Sequence, residues 1–230
     1  MKELENIGKT TKYMIHAVPQ RMWYVEHYLM PEMIKNGIDK DSILIYNDDK
    51  GLGNLRAFLD SLKKSDCDLW HLQDDIIISD DFKVQTEKHN SGIVCGFCSR
   101  YSEDKPAGFV LPENMWYSFP CIRIPDSTAR EFIRWIKQQE EENGKHKNWI
   151  DANRYDDSLF MAFLQERYPL KAVLNLKPNI VNHIDYLIGG SMVNPKRRQT
   201  ATAIYWESEK LLKEWEAELR NGKYRQDGTE

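Results

Sequence analysis

Leu69-Trp-His-Leu-Gln-Asp-Asp-Ile-Ile-Ile-Ser-Asp-Asp-Phe82 is the stretch that decides the fold. One apolar run, residues 69–72, leads into an acidic pair, Asp74 and Asp75, and a second, residues 76–78, leaves it. A strand flanked so strongly by hydrophobes is expected to be covered on both faces, as in an α/β sheet. Carboxylates are not left buried and unpaired, because desolvating a charge costs roughly several kcal/mol unless a cation or donors compensate. Asp74 and Asp75 are therefore expected at a strand's end, facing a cleft. A hard divalent cation, Mg²⁺ or Mn²⁺, suits such a place, since it takes carboxylate oxygens and keeps positions open for phosphates. The plainer alternative is a turn in which the two acids only solvate the chain.

Upstream, residues 13–18 read as a first buried strand, broken by Pro19. Met22, Val25, Tyr28, Leu29 and Met33 recur at helical spacing, with Pro31 kinking or dividing the helix and Gly37 stopping it. Residues 42–46 form a second strand, ended by the turn chemistry of Asn47-Asp-Asp-Lys-Gly-Leu-Gly53. Leu55, Phe58, Leu59 and Leu62 give an i, i+3, i+4, i+7 stripe, so a helix returns to the central strand. Two strand-helix units feeding a third strand make a parallel layout whose ligands gather at the strands' carboxyl ends. Residues 18–21, 47–53 and 73–75 then share one rim.

Downstream the pattern is less regular. Residues 92–98 read as a strand, 99–112 as a loop long enough for a lid, and 115–124 as an aromatic strand. Thr128 and Glu131 stand at capping-box spacing before a helix through Gln139, and residues 140–147 as its solvated end. Asp156-Asp-Ser158 opens a helix stopped by Tyr168-Pro169, where acids also satisfy orphan amides and the dipole. Residues 171–176 are a late strand, and a last helix runs through Leu211, Leu212, Trp215 and Leu219.

A chain of 230 residues with 41% hydrophobic content and seven Trp carries a sizeable core and is not disordered. Its net charge of −4 argues against non-specific nucleic-acid binding, while leaving room for a local basic patch at Lys196-Arg-Arg198. No apolar run approaches the roughly 20 residues of a membrane span, and the polar start lacks the apolar core of a signal peptide. A cytoplasmic protein is expected, in the host cytoplasm if phage-encoded. Of the four cysteines, Cys95 and Cys98 have redox or zinc spacing, but no second close pair exists and no helix follows Cys98. They read as small buried hydrophobes in a strand.

Five segments, taken in order, carry more than any one of them: Val18-Pro-Gln-Arg21, Asn47-Asp-Asp49, Leu72-Gln-Asp-Asp-Ile76, Tyr155-Asp-Asp157 and Pro178-Asn-Ile-Val-Asn-His183. As a set they resemble the GT-A class of nucleotide-sugar-dependent glycosyltransferases, within it the small bacterial and phage enzymes whose metal motif is an acidic pair after an apolar strand. The resemblance spans residues 13–206. It implies a single Rossmann-like α/β domain over 1–230, with a mostly parallel central sheet flanked by helices. Residues 13–98 would be the nucleotide-binding half, 99–206 the acceptor-binding half, and 207–230 a C-terminal helix and tail.

By that resemblance Ala17, Val18, Arg21 and Asp48 or Asp49 hold the base and ribose, while Asp75 and His183 bind Mn²⁺ or Mg²⁺. Gln73 stands where the family often has a first acid; it can still bond a ribose, beside Asp74. Lys196, Arg197 and Arg198 are candidate donors to the diphosphate, and Asp157, with Asp156 as alternate, is the general base for a single inverting displacement. Trp116, Tyr117 and Phe119 read as a stacking floor for the acceptor or as core. The acceptor is a saccharide or a hydroxymethylated DNA base, and the donor a nucleoside-diphosphate sugar, with UDP expected for the class. Two other readings are a metal-dependent phosphoesterase or nuclease, and a non-catalytic sugar-nucleotide binding module.

Overall fold

The structure is a computed structural model; it describes residues 12–99, 101–117, 119–153, 155–188, 203, 205–207 and 209–220. Nine strands form two sheets among these residues. β1 (Lys12–Ala17) pairs in parallel with β2 (Ile43–Asn47) on one side and β3 (Leu69–Gln73) on the other. The sheet continues through β7 (Cys121–Ile124), β5 (Ile93–Cys95), β8 (Val173–Asn175) and β6 (Gly108–Val110), in the order β2-β1-β3-β7-β5-β8-β6. β7 and β6 are antiparallel to their neighbours, and the other five strands share one direction. The mostly parallel α/β sheet expected from the sequence is thus present.

Strand alternation gives the sheet two apolar faces, and helices cover both. Met14, Leu69, Ile122 and Ile124 face a cluster built with α3 (Asn54–Lys63), α5 (Asp126–Glu141) and α7 (Asp156–Arg167). Tyr13, Ile15, Ala17, Trp70 and Leu72 face a second cluster, under one helical run of α1 (Met22–Tyr24), a π turn (Val25–Leu29) and α2 (Met30–Lys35). Pro31, with no N–H to give the preceding turn, lies just past that π turn, and Gly37 at φ +88° ends the run. α4 (Phe82–Lys88) contributes Phe82 and α8 (Glu209–Arg220) contributes Trp215 to the same side.

The apolar run after the acidic pair does not continue β3. Ile76–Ile78 is a separate strand, β4, paired antiparallel with β9 (Val181–His183). All three isoleucines are fully buried, so the chain turns at Asp74-Asp75 in order to place them in the second cluster. The acidic pair occupies the corner between the two sheets.

Three local expectations change. The stretch 99–112 carries β6 and is pinned: Asn175 Nδ2 donates to Pro106 O and Asn114 O (2.9 Å each), and Lys105 Nζ to Met115 O at 2.9 Å. It is part of the sheet edge and not a lid. The aromatic strand shortens to Cys121–Ile124 because residues before it wrap around Asn175. α5 starts at Asp126 and not at a Thr128 cap: Asp68 Oδ1 accepts the Asp126 amide from a distant loop (3.0 Å), and Thr128 is buried. Residues 140–147 are the exposed or half-buried helix end and loop expected of them, and a further helix, α6 (Lys147–Ala152), follows. The cysteines read as small buried hydrophobes in a strand are so at Cys95 and Cys121; Cys98 is fully buried but lies in the loop after β5, and Cys67 is half-buried.

Candidate functional site

The parallel trio delivers its carboxyl ends to one rim. Ala17 O accepts the Asp48 amide (2.8 Å), joining the ends of β1 and β2, and the Val18 amide donates to Asp74 Oδ2 (2.8 Å), joining β1 to the corner after β3. Arg21, buried at 4% exposure just beyond β1, donates through one terminal nitrogen to Asp74 Oδ1 (2.8 Å) and Asp75 Oδ2 (2.5 Å). The other oxygen of Asp75 lies 2.9 Å from His183 Nε2.

The register of the small sheet explains that last meeting. Ile76 pairs with His183, and the Ile184 amide donates to Asp75 O (2.8 Å), so the ladder's end fixes acid and imidazole side by side. Burial alone would neutralise Asp75, but the His183 and Arg21 charges outweigh it and hold the carboxyl below the usual range. His183 is raised in turn, its burial outweighed by Asp75. Asp74 goes the other way, pushed up to about 6 by burial and then by the charge of Asp75.

No family model matches the chain, and no curated protein is significantly similar to it. The site is read from its own geometry.

Asp75, His183, Asp74 and Arg21 come together as the sequence led one to expect, with one difference in what they touch: Arg21 bonds the acids directly, so its charge is already matched. Asp48 carries its own loop, its carboxylate accepting the amides of Leu52 (2.8 Å) and Gly53 (3.2 Å), while Asp49 is exposed. Ala17 is fully buried with its carbonyl accepting the Asp48 amide, and Val18, half-buried, gives its amide to Asp74. Gln73 is half-buried at the end of β3, its amide on Pro120 O (3.1 Å). Lys196, Arg197 and Arg198 lie outside the described residues.

Of the aromatic floor, Trp116 and Phe119 belong to the core, the first with no exposure and its Nε1 donating to Lys105 O (3.2 Å). A ring so enclosed has no face for an acceptor, which leaves Tyr117, 38% exposed with Lys105 Nζ over its ring.

Asp156 and Asp157 form the first turn of α7. Burial, then the charge of Asp157, pushes Asp156 up to about 7, and burial raises Asp157 too, against the Ser158 amide and hydroxyl that donate to it (2.6 and 3.2 Å). This helix start is bolted to the rim by a residue the sequence reading passed over. Asn153, at φ +53° between α6 and α7, donates to Leu52 O (2.5 Å) and accepts the Arg56 amide (2.9 Å). Its signal was a turn-forming Asn between two helical patterns.

Two more rim groups were missed. His16 ends the inward face of β1, 5.4 Å from the Tyr46 ring and 5.5 Å from His71; burial lowers it to about 4 against the pull of Asp48 and Asp75. Asn47 closes β2 with a buried side-chain oxygen that has no hydrogen-bond partner among the described residues.

Proposed function

We propose that this chain is a metal-dependent glycosyltransferase of the GT-A class, moving a sugar from a nucleoside diphosphate, UDP by class expectation, to an acceptor hydroxyl. The observation that carries the reading is the 2.9 Å approach of Asp75 Oδ1 and His183 Nε2 at the carboxyl end of a parallel strand trio. Adjacent ligands of an octahedral Mg²⁺ or Mn²⁺ stand about 3 Å apart, given bonds of about 2.1 Å. One carboxylate oxygen and one imidazole nitrogen at that spacing would fit such an ion once it displaces the proton that His183 holds toward Asp75, and the pair suits Mn²⁺. Bound there, the ion would supply Lewis-acid neutralisation of the leaving diphosphate.

The chain's own residues do the rest. Arg21 holds the second oxygen of Asp75 and so turns the first toward His183. The loop ordered by Asp48 shapes the nucleoside side of the cleft. The acceptor hydroxyl loses its proton to the Asp156–Asp157 pair, whose raised affinity for a proton suits a base working near neutral pH. Attack from the face opposite the diphosphate inverts the anomeric carbon.

Calorimetric titration of Mn²⁺ and UDP into wild type and Asp75→Asn, followed by mass spectrometry of UDP-sugar turnover, tests the reading. Wild type should bind both, and the variant should lose at least ~100-fold in turnover. Equal binding and turnover by the two proteins would remove the metal assignment. One observation favours a second reading, a sugar-nucleotide binding module without catalysis: Arg21 already partners both acids. Nucleotide binding without any sugar transfer or donor hydrolysis would select it.

A further inference from the structure

With Trp116 and Phe119 enclosed in the core, the acceptor lacks the floor expected for it, but another pair of rings stands beside the acid pair. Trp149 of α6 and Tyr155, the residue that opens α7, are 43% and 42% exposed, with ring centroids 5.6 Å apart and planes inclined by 39°. They are not loose. His146 packs against Trp149 (5.6 Å) and against Trp135 (5.3 Å), and Trp135 belongs to the core at 2% exposure. Their position matters as much as their exposure. Tyr155 is chain neighbour to Asp156, so the two Cα atoms lie about 3.8 Å apart, and Asn153, between the rings in sequence, bonds the loop that Asp48 orders.

We propose that Trp149 and Tyr155 are the acceptor subsite: a stacking platform for a neutral saccharide, an assignment that rests on the glycosyltransferase reading above. The C–H face of a pyranose is apolar and packs on aromatic rings, while its hydroxyls stay at the edge, where they can reach Asp156 and Asp157. Charge favours a sugar over a nucleic acid among the described residues. The basic groups described around the rings each lie against a carboxylate: Arg56 on Glu140, Lys145 and His146 on Glu166 (2.6 and 2.9 Å), and Lys147 on Asp151 (2.9 Å). Asp156 and Asp157, next to Tyr155, repel a polyanionic strand, which is held chiefly by surplus cations; Arg154 lies outside the described residues.

Binding of the intact, fluorescently labelled chain to an array of neutral oligosaccharides tests the platform without requiring turnover; a single-stranded oligodeoxynucleotide containing 5-hydroxymethylcytosine is the competing probe. Wild type is expected to bind at least one neutral glycan. Trp149→Ala and Tyr155→Ala should each lower the ratio of glycan affinity to UDP affinity about fivefold to tenfold. Tyr155→Phe, which keeps the ring, should retain more glycan affinity than Tyr155→Ala, and thermal melting of each variant separates loss of a contact from loss of the fold. No glycan bound by wild type, an unchanged ratio in Trp149→Ala, or preference for the oligonucleotide overturns the platform. Glycan binding through Trp149 with neither UDP binding nor sugar transfer leaves a saccharide platform standing and sinks the glycosyltransferase reading instead.

Discussion

The trio β2-β1-β3 and the group β7-β5-β8-β6 belong to one sheet but gather their polar groups in opposite ways. In the trio all strands point the same way, so three loops meet at one end and bring Asp48, Arg21, Asp74 and Asp75 into mutual contact or close reach. In the other group β7 and β6 run against their neighbours, loop ends are divided between both edges, and the buried polar residues tie backbone together, as Asn175 and Arg123 do. Direction of strands, more than composition, decides where charge can accumulate. The mixed half serves the site through helices, with α6 and α7 carrying the aromatic pair and the acid pair to the rim.

This contrast can be broken most forcefully at one residue of each half. Arg21→Met leaves Asp74 and Asp75 buried without their guanidinium and should cost about 3–5 kcal/mol in urea unfolding. Trp116→Ala opens a cavity in the mixed half and should cost about as much, ~3–5 kcal/mol, whereas the exposed Tyr117→Ala should stay within about 0.5 kcal/mol. The two large losses differ in kind: adding Asp74→Asn and Asp75→Asn to Arg21→Met should restore much of the first, because the penalty is an uncompensated charge, and no polar change should restore the second. Failure of that rescue would show that Arg21 acts by packing.

Next in size is a pH effect confined to α7. Folding raises the Asp156 carboxyl from 3.8 to about 7, so the folded state holds its proton more tightly than the unfolded chain does. Stability from this group is fully present below about pH 4 and is lost as pH rises through 7, to a maximum of about 4 kcal/mol at 1.36 kcal/mol per pH unit. Asp156→Asn should therefore flatten the fall in melting temperature between pH 4 and pH 7 and be the more stable protein at pH 8. A parallel curve for both proteins would show the carboxyl to be ordinary. The smallest effect concerns the bolt between the halves. Gly53 has φ +80°, and a Cβ there would stand 2.5 Å from Asn153 Nδ2, so Gly53→Ala should cost about 1–3 kcal/mol and raise KM for donor more than it lowers kcat. An unchanged KM would mean that the two loops move independently.

Most of the parallel half was legible because its signals are local. Alternation and i, i+3, i+4 stripes marked β1, β2, β3 and α3, and apolar runs abutting turn residues marked which strand ends carry polar groups. Trp116 was left between floor and core because an aromatic in an irregular stretch carries no period, and only the wrapping of residues 105–116 around Asn175 encloses it. Asn153, His16 and Asn47 were missed for a related reason: each matters through what lies across the rim, and nothing adjacent in sequence says so.

By itself the sequence determined that an α/β sheet forms, that β1 to β3 run parallel, and that Asp74 and Asp75 stand at a strand's end, since these follow from hydrophobic period and from the cost of burying charge. Only the tertiary structure decided that Asp75 faces both Arg21 and His183, that Asp156 is buried beside Asp157, and that Trp149 and Tyr155 form an exposed pair of rings. Those facts depend on register between distant strands and on which side chains the packed core leaves no room to turn, and neither is written in any single window of the chain.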